Sequence, residues 1–501
     1  MKKEDLFNAV TEIDDRHIDH AAKHRFRNPF VWKQLAALAA CGVLVIGLVR
    51  FIPMGGSGDA AASAPAASAP GAAPFDSDRP FDVFSPPVLP LFVAGEGTEA
   101  LERTRTLTFD YSAVDDYTGL YLSTAGVSDS YVLVNPTDGD ILAMVSSPSG
   151  GALYEDLPDL TVDGVPVETT VTVSDPLTTI SADGWNLAAP QSVEPYAAYL
   201  NDQIAGKVSE PTPTLDEPVT VYTFTDAKGS VEHAATLQYT FSCAPTATTV
   251  LSYGFNGWSE ISDIVQAYDF FINEHTAPET RALVVLGEDI LNGKLQGYED
   301  GACRKGEELD GLTAHITRTE TTLGEALRRL AADHWARAQS MEAPATPHAA
   351  DEGVTFDLYF DAVCRYFETF GPLNKNNILR YKDGRLFELM HDVFVVDRVR
   401  WQTAEIVIPA GGSCTIEASY PCRGSFNYPG TGNPDDRYGY SLLTIADAAW
   451  PTTLRFTGTD PVDASGLLTT TEGVLDSFKV VDGLGIELAP TTGYHAFTLY
   501  Q

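Results

Sequence analysis

Basic residues are scarce in this chain: 32 Lys and Arg stand against 69 Asp and Glu, giving a formal charge of −37 at pH 7. The shortage is uneven. Residues 1–54 hold 8 basic and 6 acidic side chains, so the rest holds 24 against 63. That balance excludes nucleic acid and anionic lipid as partners of the larger part, because phosphate recognition needs clustered Lys and Arg. Cysteine is also sparse, with six in 501 residues and no CxxC pair, which excludes a disulfide-built scaffold. Cys414 and Cys422 flank TIEASYP and could meet if that segment bends back.

Catalytic signatures are missing as well. There is no GxSxG elbow, HExxH pair, Walker loop, dinucleotide fingerprint or DxDxDG calcium loop. His17, His20 and His24 share a helix face at i, i+3, i+7, but metal sites usually recruit more ligand types, so a solvated face is the plainer reading. Asp138 and Asp140 read as turn formers rather than calcium ligands. The neighbouring carboxylates Asp115-Asp116, Glu307-Glu308 and Asp435-Asp436 diverge along the chain and do not make the facing pair of a glycosidase. No catalytic residue, metal ligand or cofactor is therefore expected, and the chain reads as a non-enzyme.

Only one long hydrophobic run exists, Leu35 to Val49, LAALAACGVLVIGLV. It reaches spanning length when Phe30, Val31 and Trp32 before it and Phe51 and Ile52 after it are counted, with Lys33 and Arg50 snorkelling to the headgroups. Lys2, Lys3, Arg16, Lys23, Arg25, Arg27 and Lys33 all precede the span, which predicts a cytoplasmic N-terminus and an outer body. A cleaved signal peptide is the rival, but the polar segment ahead of the core is over thirty residues long. The expected divisions are a cytoplasmic amphipathic helix and basic patch at 1–29, a transmembrane helix at 30–54, an Ala/Pro/Ser/Gly linker at 55–80, an α+β extracellular domain at 81–345 and a β-sandwich domain at 350–501.

In the first segment Leu6, Phe7, Val10 and Ile13 make an apolar stripe too short to bury itself, hence a candidate for binding a cytoplasmic partner. The pattern EDLFNAVTEIDDRHIDHAAKH, a basic patch and one Ala-rich span resembles the N-terminal module of single-pass clostridial envelope proteins, among them anti-sigma-like regulators. That resemblance covers about the first 50 residues. It implies a cytoplasmic helix that holds a sigma factor and an outer domain that senses or binds something.

Residues 101–255 read as β, in short Val-, Thr- and Tyr-rich runs such as RTLTFDYS, SYVLVNP and VTVYTFT. Asn135 to Asp140 should form a hairpin turn with Gly139 at positive φ. Helices are expected on the stripe Ile261, Ile264, Val265, Tyr268, Phe271 and Ile272, after the capping box Thr322/Glu325, and on Phe356, Tyr359, Phe360, Val363, Phe367 and Phe370. RALVVLGEDI reads as a buried strand. The tail, from LFELMHDVFVVDRVRW onward, reads as strands with a hairpin-like break at Pro409–Gly412. The phrases IVIPAGGSCTIEASY and YGYSLL resemble β-sandwich ectodomains of Gram-positive surface proteins.

The fold class expected is thus α+β and all-β: a mostly antiparallel β ectodomain with inserted helices and a C-terminal β-sandwich, behind an N-terminal transmembrane helix. Trp185 and Trp258 each follow Gly in a loop-like context and are candidate ligand-binding residues, although Trp is usually mostly buried. Trp335 and Trp450 should be core. The function expected is membrane-anchored extracellular binding or sensing of a glycan or protein. Its alternatives are an anti-sigma-like regulator and a carbohydrate-active surface protein. The full-length chain should fractionate with membranes, and recovery of a soluble form starting near residue 60 would exclude the anchor.

Overall fold

Alternation with a period of two governs most of the chain. In Thr124–Val134, Ala125, Val127, Asp129, Tyr131 and Leu133 are all buried and the residues between them are half exposed, because successive side chains of a strand point to opposite faces. The computed structural model describes residues 81–112, 124–180, 187–205, 215–228, 235–272, 280–340, 354–370, 385–426, 437–444, 450–458, 465–470, 473–488 and 493–500. The expected cytoplasmic helix, the span at 30–54 and the linker at 55–80 lie outside them. Among the described residues no helix is long and apolar enough to cross a membrane.

The first strands are β1 (Phe92–Ala94), β2 (Glu102–Asp110), β3 (Thr124–Val134), β4 (Ile141–Gly151), β5 (Asp159–Val162), β6 (Val165–Pro166) and β7 (Thr170–Val173). A short pair, β8 (Thr179–Ile180) and β9 (Leu187–Ala188), leads to helix α1 (Glu194–Ile204). The middle holds β10 (Pro218–Lys228), β11 (Thr236–Ser242), β12 (Thr248–Tyr253), β13 (Gly257–Ser262), β14 (Val265–Phe271), β15 (Arg281–Gly287), β16 (Leu291–Tyr298), β17 (Glu308–Leu309) and β18 (Thr313–Thr322). Helices α2 (Leu323–Ser340), α3 (Phe356–Thr369) and α4 (Leu386–Val395) follow. The chain closes with β19 (Arg398–Ile408), β20 (Ser413–Arg423), β21 (Ser425–Phe426), β22 (Arg437–Thr444), β23 (Thr452–Thr457), β24 (Ser465–Thr470), β25 (Gly473–Lys479), β26 (Gly485–Leu488) and β27 (Gly493–Tyr500).

These strands form five main sheets: β1-β4-β19-β7 (sheet I), β26-β23-β2-β3-β20-β5-β6 (II), β21-β22-β27-β24-β25 (III), β12-β15-β10-β18 (IV) and β13-β14-β11-β16-β17 (V). Pairing within them is antiparallel except between β2 and β23. Sheet II is the long one. Its apolar face packs on sheet I through Tyr131, Leu133, Ile406 and Ile416, and on sheet III through Leu107, Phe109, Phe497 and Leu499. Sheets IV and V close a second sandwich around Phe224, Phe241 and Phe270, and α2, α3 and α4 cover the other face of sheet IV.

Where sheet II passes from one cover to the other, an ion pair replaces apolar contact. Arg105 and Asp129, each 2% exposed, meet through Nε–Oδ1 at 2.7 Å and Nη2–Oδ2 at 2.6 Å. Tyr131 donates its hydroxyl to Asp129 at 2.8 Å and accepts the Leu91 N–H at 3.1 Å. Burial works against the Arg105 charge, but Asp129 more than offsets it and holds the guanidinium above its ordinary pKa.

Several expectations need correction. Strands from both sides of residues 345–350 share sheets I and II, so no boundary there separates the sheets. The stripe Ile261–Ile272 is not a helix but the β13–β14 hairpin. Its apparent helical spacing is accidental: Ile261 is 58% exposed, while Tyr268, Phe270 and Ile272 alternate into the core. The first half of LFELMHDVFVVDRVRW is helix α4, since Leu386, Met390, Val393 and Phe394 are buried at i, i+4, i+7, i+8. Helix α1 lies in a stretch that showed no helical reading.

Neither expected hairpin turn joins paired strands. Both are arches: β3 in sheet II leads to β4 in sheet I, and β19 in sheet I leads to β20 in sheet II. Buried Asn135 clasps the two arches, its Nδ2 donating to the carbonyls of Gly139, Ile408 and Pro409 at 2.8, 3.1 and 3.1 Å. Asp140 accepts from the Ala410 N–H at 2.9 Å, which is its structural role. The left-handed residue here is Gly411, at φ 63°, rather than Gly139. Cys414 and Cys422 stand eight residues apart on one extended strand, about 26 Å, and both are free thiols.

The expected strands in 101–255, the strand Arg281–Gly287 and helices α2 and α3 are present. Thr322 Oγ1 caps α2 by accepting the Glu325 N–H at 3.3 Å. Replacing Arg105 by Ala should cost about 3–5 kcal/mol by stranding Asp129 in the core, whereas the paired change Arg105→Met with Asp129→Leu should cost much less. Urea unfolding of the two variants checks this, and equal losses would show that the pair is not the source of the cost.

Candidate functional site

The residues singled out from the sequence do not converge. Leu6, Phe7, Val10, Ile13 and Trp185 lie outside the described residues. Trp258 sits on the edge strand β13, directly across from Tyr268, and is 42% exposed. Trp450 is core, as expected, and gives its indole N–H to the Leu91 carbonyl at 3.0 Å. Trp335 is partly buried against Tyr359 and Phe394. Glu307 and Glu308 serve their own loop, pairing with Arg304 and accepting the Gly306 N–H. The other two carboxylate pairs lie outside the described residues.

A cleft of about 360 Å³ does form, on the outer face of sheet I between α1 and α3. Its floor includes Ser146 and Thr403, which face each other across β4 and β19, and Trp401 and Thr172, which face each other across β19 and β7. Ser146 Oγ and Thr403 Oγ1 lie 3.3 Å apart. In β19 the buried set Ala404, Ile406 and Ile408 fixes one face, so Trp401 and Thr403 must take the other. That parity was the sequence signal for Trp401, hidden because Arg398, Arg400 and Gln402 interrupt the apolar set.

Helix α1 begins with a proline in its first turn and buries Tyr196 and Leu200, which turns Tyr199 and Gln203 toward the cleft. The Tyr199 hydroxyl accepts from Gln203 Nε2 at 2.8 Å and from Trp401 Nε1 at 3.2 Å. Both lone pairs are then used and its own proton remains to be donated. Burial raises the Tyr199 pKa and keeps that proton in place. From α3 comes Arg365, whose Nε reaches Asp361 at 2.8 Å and whose Nη1 reaches Asp175 at 3.3 Å. Burial opposes this charge, but the two carboxylates hold the Arg365 pKa above its ordinary value.

A second polar cluster lies where β4 ends and β19 begins. Buried Arg400 donates to the carbonyls of Ala152 and Glu155 at 3.1 and 2.5 Å, and Glu155 Oε2 accepts the Ala152 N–H at 3.2 Å. Gly151, at φ 137°, permits this fold-back, since a Cβ there would lie 2.0 Å from Glu155 Oε2. Burial and then the neighbouring Glu155 carboxylate push half-buried Asp397 up to about 6, against the pull of Arg398 and Arg400. Arg398 is wholly buried, donates Nη2 to the Val393 carbonyl at 3.0 Å, and is pushed down to about 10 by burial.

Among the described residues no group of three or more His, Cys, Asp and Glu is placed to hold a metal ion. Comparison with protein-family models, with curated proteins and with solved structures found no match. The cleft must be read from its own chemistry. It offers hydroxyls, an amide, two aromatic rings and one mutually neutralised Arg/Asp pair, a set suited to holding a polar ligand.

Asp397 has a folded-state pKa above its unfolded value, so its contribution to stability is full at low pH and is lost as pH rises through about 6. Asp397→Asn should therefore stabilise the chain at pH 7 by about 1–2 kcal/mol, with the advantage vanishing near pH 4. Urea midpoints of both proteins at the two pH values check this. An advantage that does not change with pH would refute it.

Proposed function

We propose that this chain is a membrane-anchored extracellular binding protein whose cleft on sheet I holds a neutral, hydroxyl-rich ligand of the saccharide class. The observation that carries the reading is the Tyr199 hydroxyl, fixed by two donors and left with one proton to give, beside the Trp401 indole and the hydroxyls of Ser146, Thr172 and Thr403. Sugars are recognised by such a mixture of apolar ring faces and positioned hydrogen-bonding groups. Arg365 and Asp175 satisfy each other, so the cleft makes little demand for a charged ligand. The anchor is the run Leu35–Val49, and the basic residues ahead of it favour a cytoplasmic N-terminus.

The reading is of binding rather than catalysis, because the ionisable residues of the cleft are engaged in holding one another. The stripe Leu6, Phe7, Val10 and Ile13 favours a second reading, an anti-sigma-like regulator in which the same cleft is the sensing end. Titration of the full chain with neutral oligosaccharides chosen from a glycan array tests the main reading. Thr403→Val should weaken binding about tenfold while leaving the unfolding transition in place, and Tyr199→Phe should weaken it about tenfold with a modest loss of stability, since it strands the Trp401 indole N–H. An array with no binder, or a binder indifferent to both changes, would overturn it.

A further inference from the structure

We propose that the helical layer over sheet IV is an acid-operated control on the cleft, released when His334 of α2 takes up a proton. The proposal rests on the binding reading only for its consequence at the cleft. The release itself stands on the packing of the helices. His334 is 4% exposed, and neither ring nitrogen has a hydrogen-bond partner. Its ring lies 6.4 Å from that of Tyr359 on α3, nearly parallel, and 4.8 and 6.0 Å from Phe387 and Phe394 on α4. One imidazole thus touches both of the other helices in the layer.

A neutral ring suits that apolar cage and an imidazolium does not. Facing it are His391 of α4 at 6.4 Å, and Arg337 and Asp333 of its own helix. Asp333, the opposing charge among the described residues, is already committed to the Tyr253 hydroxyl from sheet IV at 2.7 Å, Thr280 Oγ1 at 2.7 Å and Arg337 Nε at 2.8 Å. From α3 the facing polar group is the Tyr359 hydroxyl, which donates to the Met390 carbonyl at 3.2 Å. Burial first, then His391 and Arg337, hold the His334 pKa down to about 4.

Because this pKa is depressed, the packed layer has its full advantage above about pH 6.5 and loses it progressively as pH falls toward 4. The layer is tied to the cleft through α3, which supplies Arg365 six residues beyond Tyr359, and to the cleft-bearing strand β19 through Arg398, which donates to the Val393 carbonyl of α4. Within the layer the Tyr366 hydroxyl of α3 donates to Asp392 of α4. Loosening α3 withdraws Arg365 from Asp175 and takes away one wall.

Hydrogen exchange of the full chain at pH 7 and pH 5, corrected for intrinsic rates, tests the release without any ligand. Exchange in α2, α3 and α4 should rise on the order of twentyfold at pH 5 while sheet II keeps its protection. In His334→Phe the rise should disappear. If that variant does not fold, the wild-type contrast decides: a uniform rise or no rise overturns the proposal. Titration with the array-selected oligosaccharide at both pH values then separates the two readings. Weaker binding at pH 5 in the wild type but not in His334→Phe supports the control, and equal weakening in both overturns it. Acid loosening of the helices with no saccharide bound at any pH supports the release of the layer by His334 and removes the binding reading together with the consequence at the cleft.

Discussion

The bidentate contact between Arg105 and Asp129 is the constraint on which the architecture turns. An eleven-residue strand such as β3 runs for about 36 Å, and its apolar face is shared between two covers, sheet I over Tyr131 and Leu133 and sheet III over Ala125 and Val127. At the seam Tyr420 packs against both cores beside the ion pair. A charged pair tied to Tyr131, and through it to the Leu91 backbone, gives the seam a fixed geometry and pins the segment that enters sheet I. Its value is in register more than in net energy, because removing two charges from water consumes much of what their attraction returns.

Once sheets I and II are aligned, the course of the chain places the cleft. Strand β7 leaves sheet I at Ser174 and Asp175. The second sandwich and the helices follow, and the chain re-enters the same sheet beside β7 as β19. The cleft lies at this exit and return, with α1 from the outgoing chain on one side and α3 from the returning chain on the other. Its residues therefore come from five separated stretches, 146, 172–175, 199–203, 365 and 401–403, held together by non-local pairing of the kind that makes folding slow. The Asn135 clasp between the two arches does the same at the opposite ends of β4 and β19, so both ends of that strand pair are fixed by contacts more than 240 residues apart in sequence.

How much of this was legible depended on whether local pattern or distant pairing decided the outcome. Strands such as β2, β3 and β20, with alternating burial, could be read directly, as could α2 from its capping box and α3 from its aromatic stripe. The β13–β14 hairpin imitates a helix because Ile261, Ile264 and Phe271 carry helical spacing yet face solvent, and only the pairing of β14 with β13 and β11 overrules it. Helix α4 was misread because its Val and Phe content imitates a strand. The two arches share turn chemistry with hairpins, and nothing local says that flanking strands belong to different sheets. The candidate site was nearly invisible for the same reason. Its residues are ordinary Ser, Thr, Gln and Tyr side chains that acquire meaning only when five segments meet, and the one conspicuous member, Trp401, sits in a run whose alternation is broken by arginine. Asp129 was more accessible to reasoning, since a carboxylate on the apolar side of β3 demands a cation on the apolar side of a neighbour, and Arg105 stands in phase with Leu107 and Phe109.

The scarcity of basic residues takes on a different sense in the folded chain. Arg105, Arg281, Arg398 and Arg400 are buried, and Arg365 is largely covered. Each is spent on an internal partner: Asp129, the Phe270 ring, the Val393 carbonyl, the turn at Ala152–Glu155, and the Asp175/Asp361 pair. The surface is consequently more anionic than the composition suggests, and such a surface repels anions at distances up to the Debye length. The ligand proposed for the cleft would approach through that field. Neutral molecules pay nothing for doing so, whereas an acidic one would meet repulsion outside and find Arg365 already shared between two carboxylates inside. The same distribution that leaves the interior held by guanidinium groups thus argues, from the outside, for an uncharged ligand.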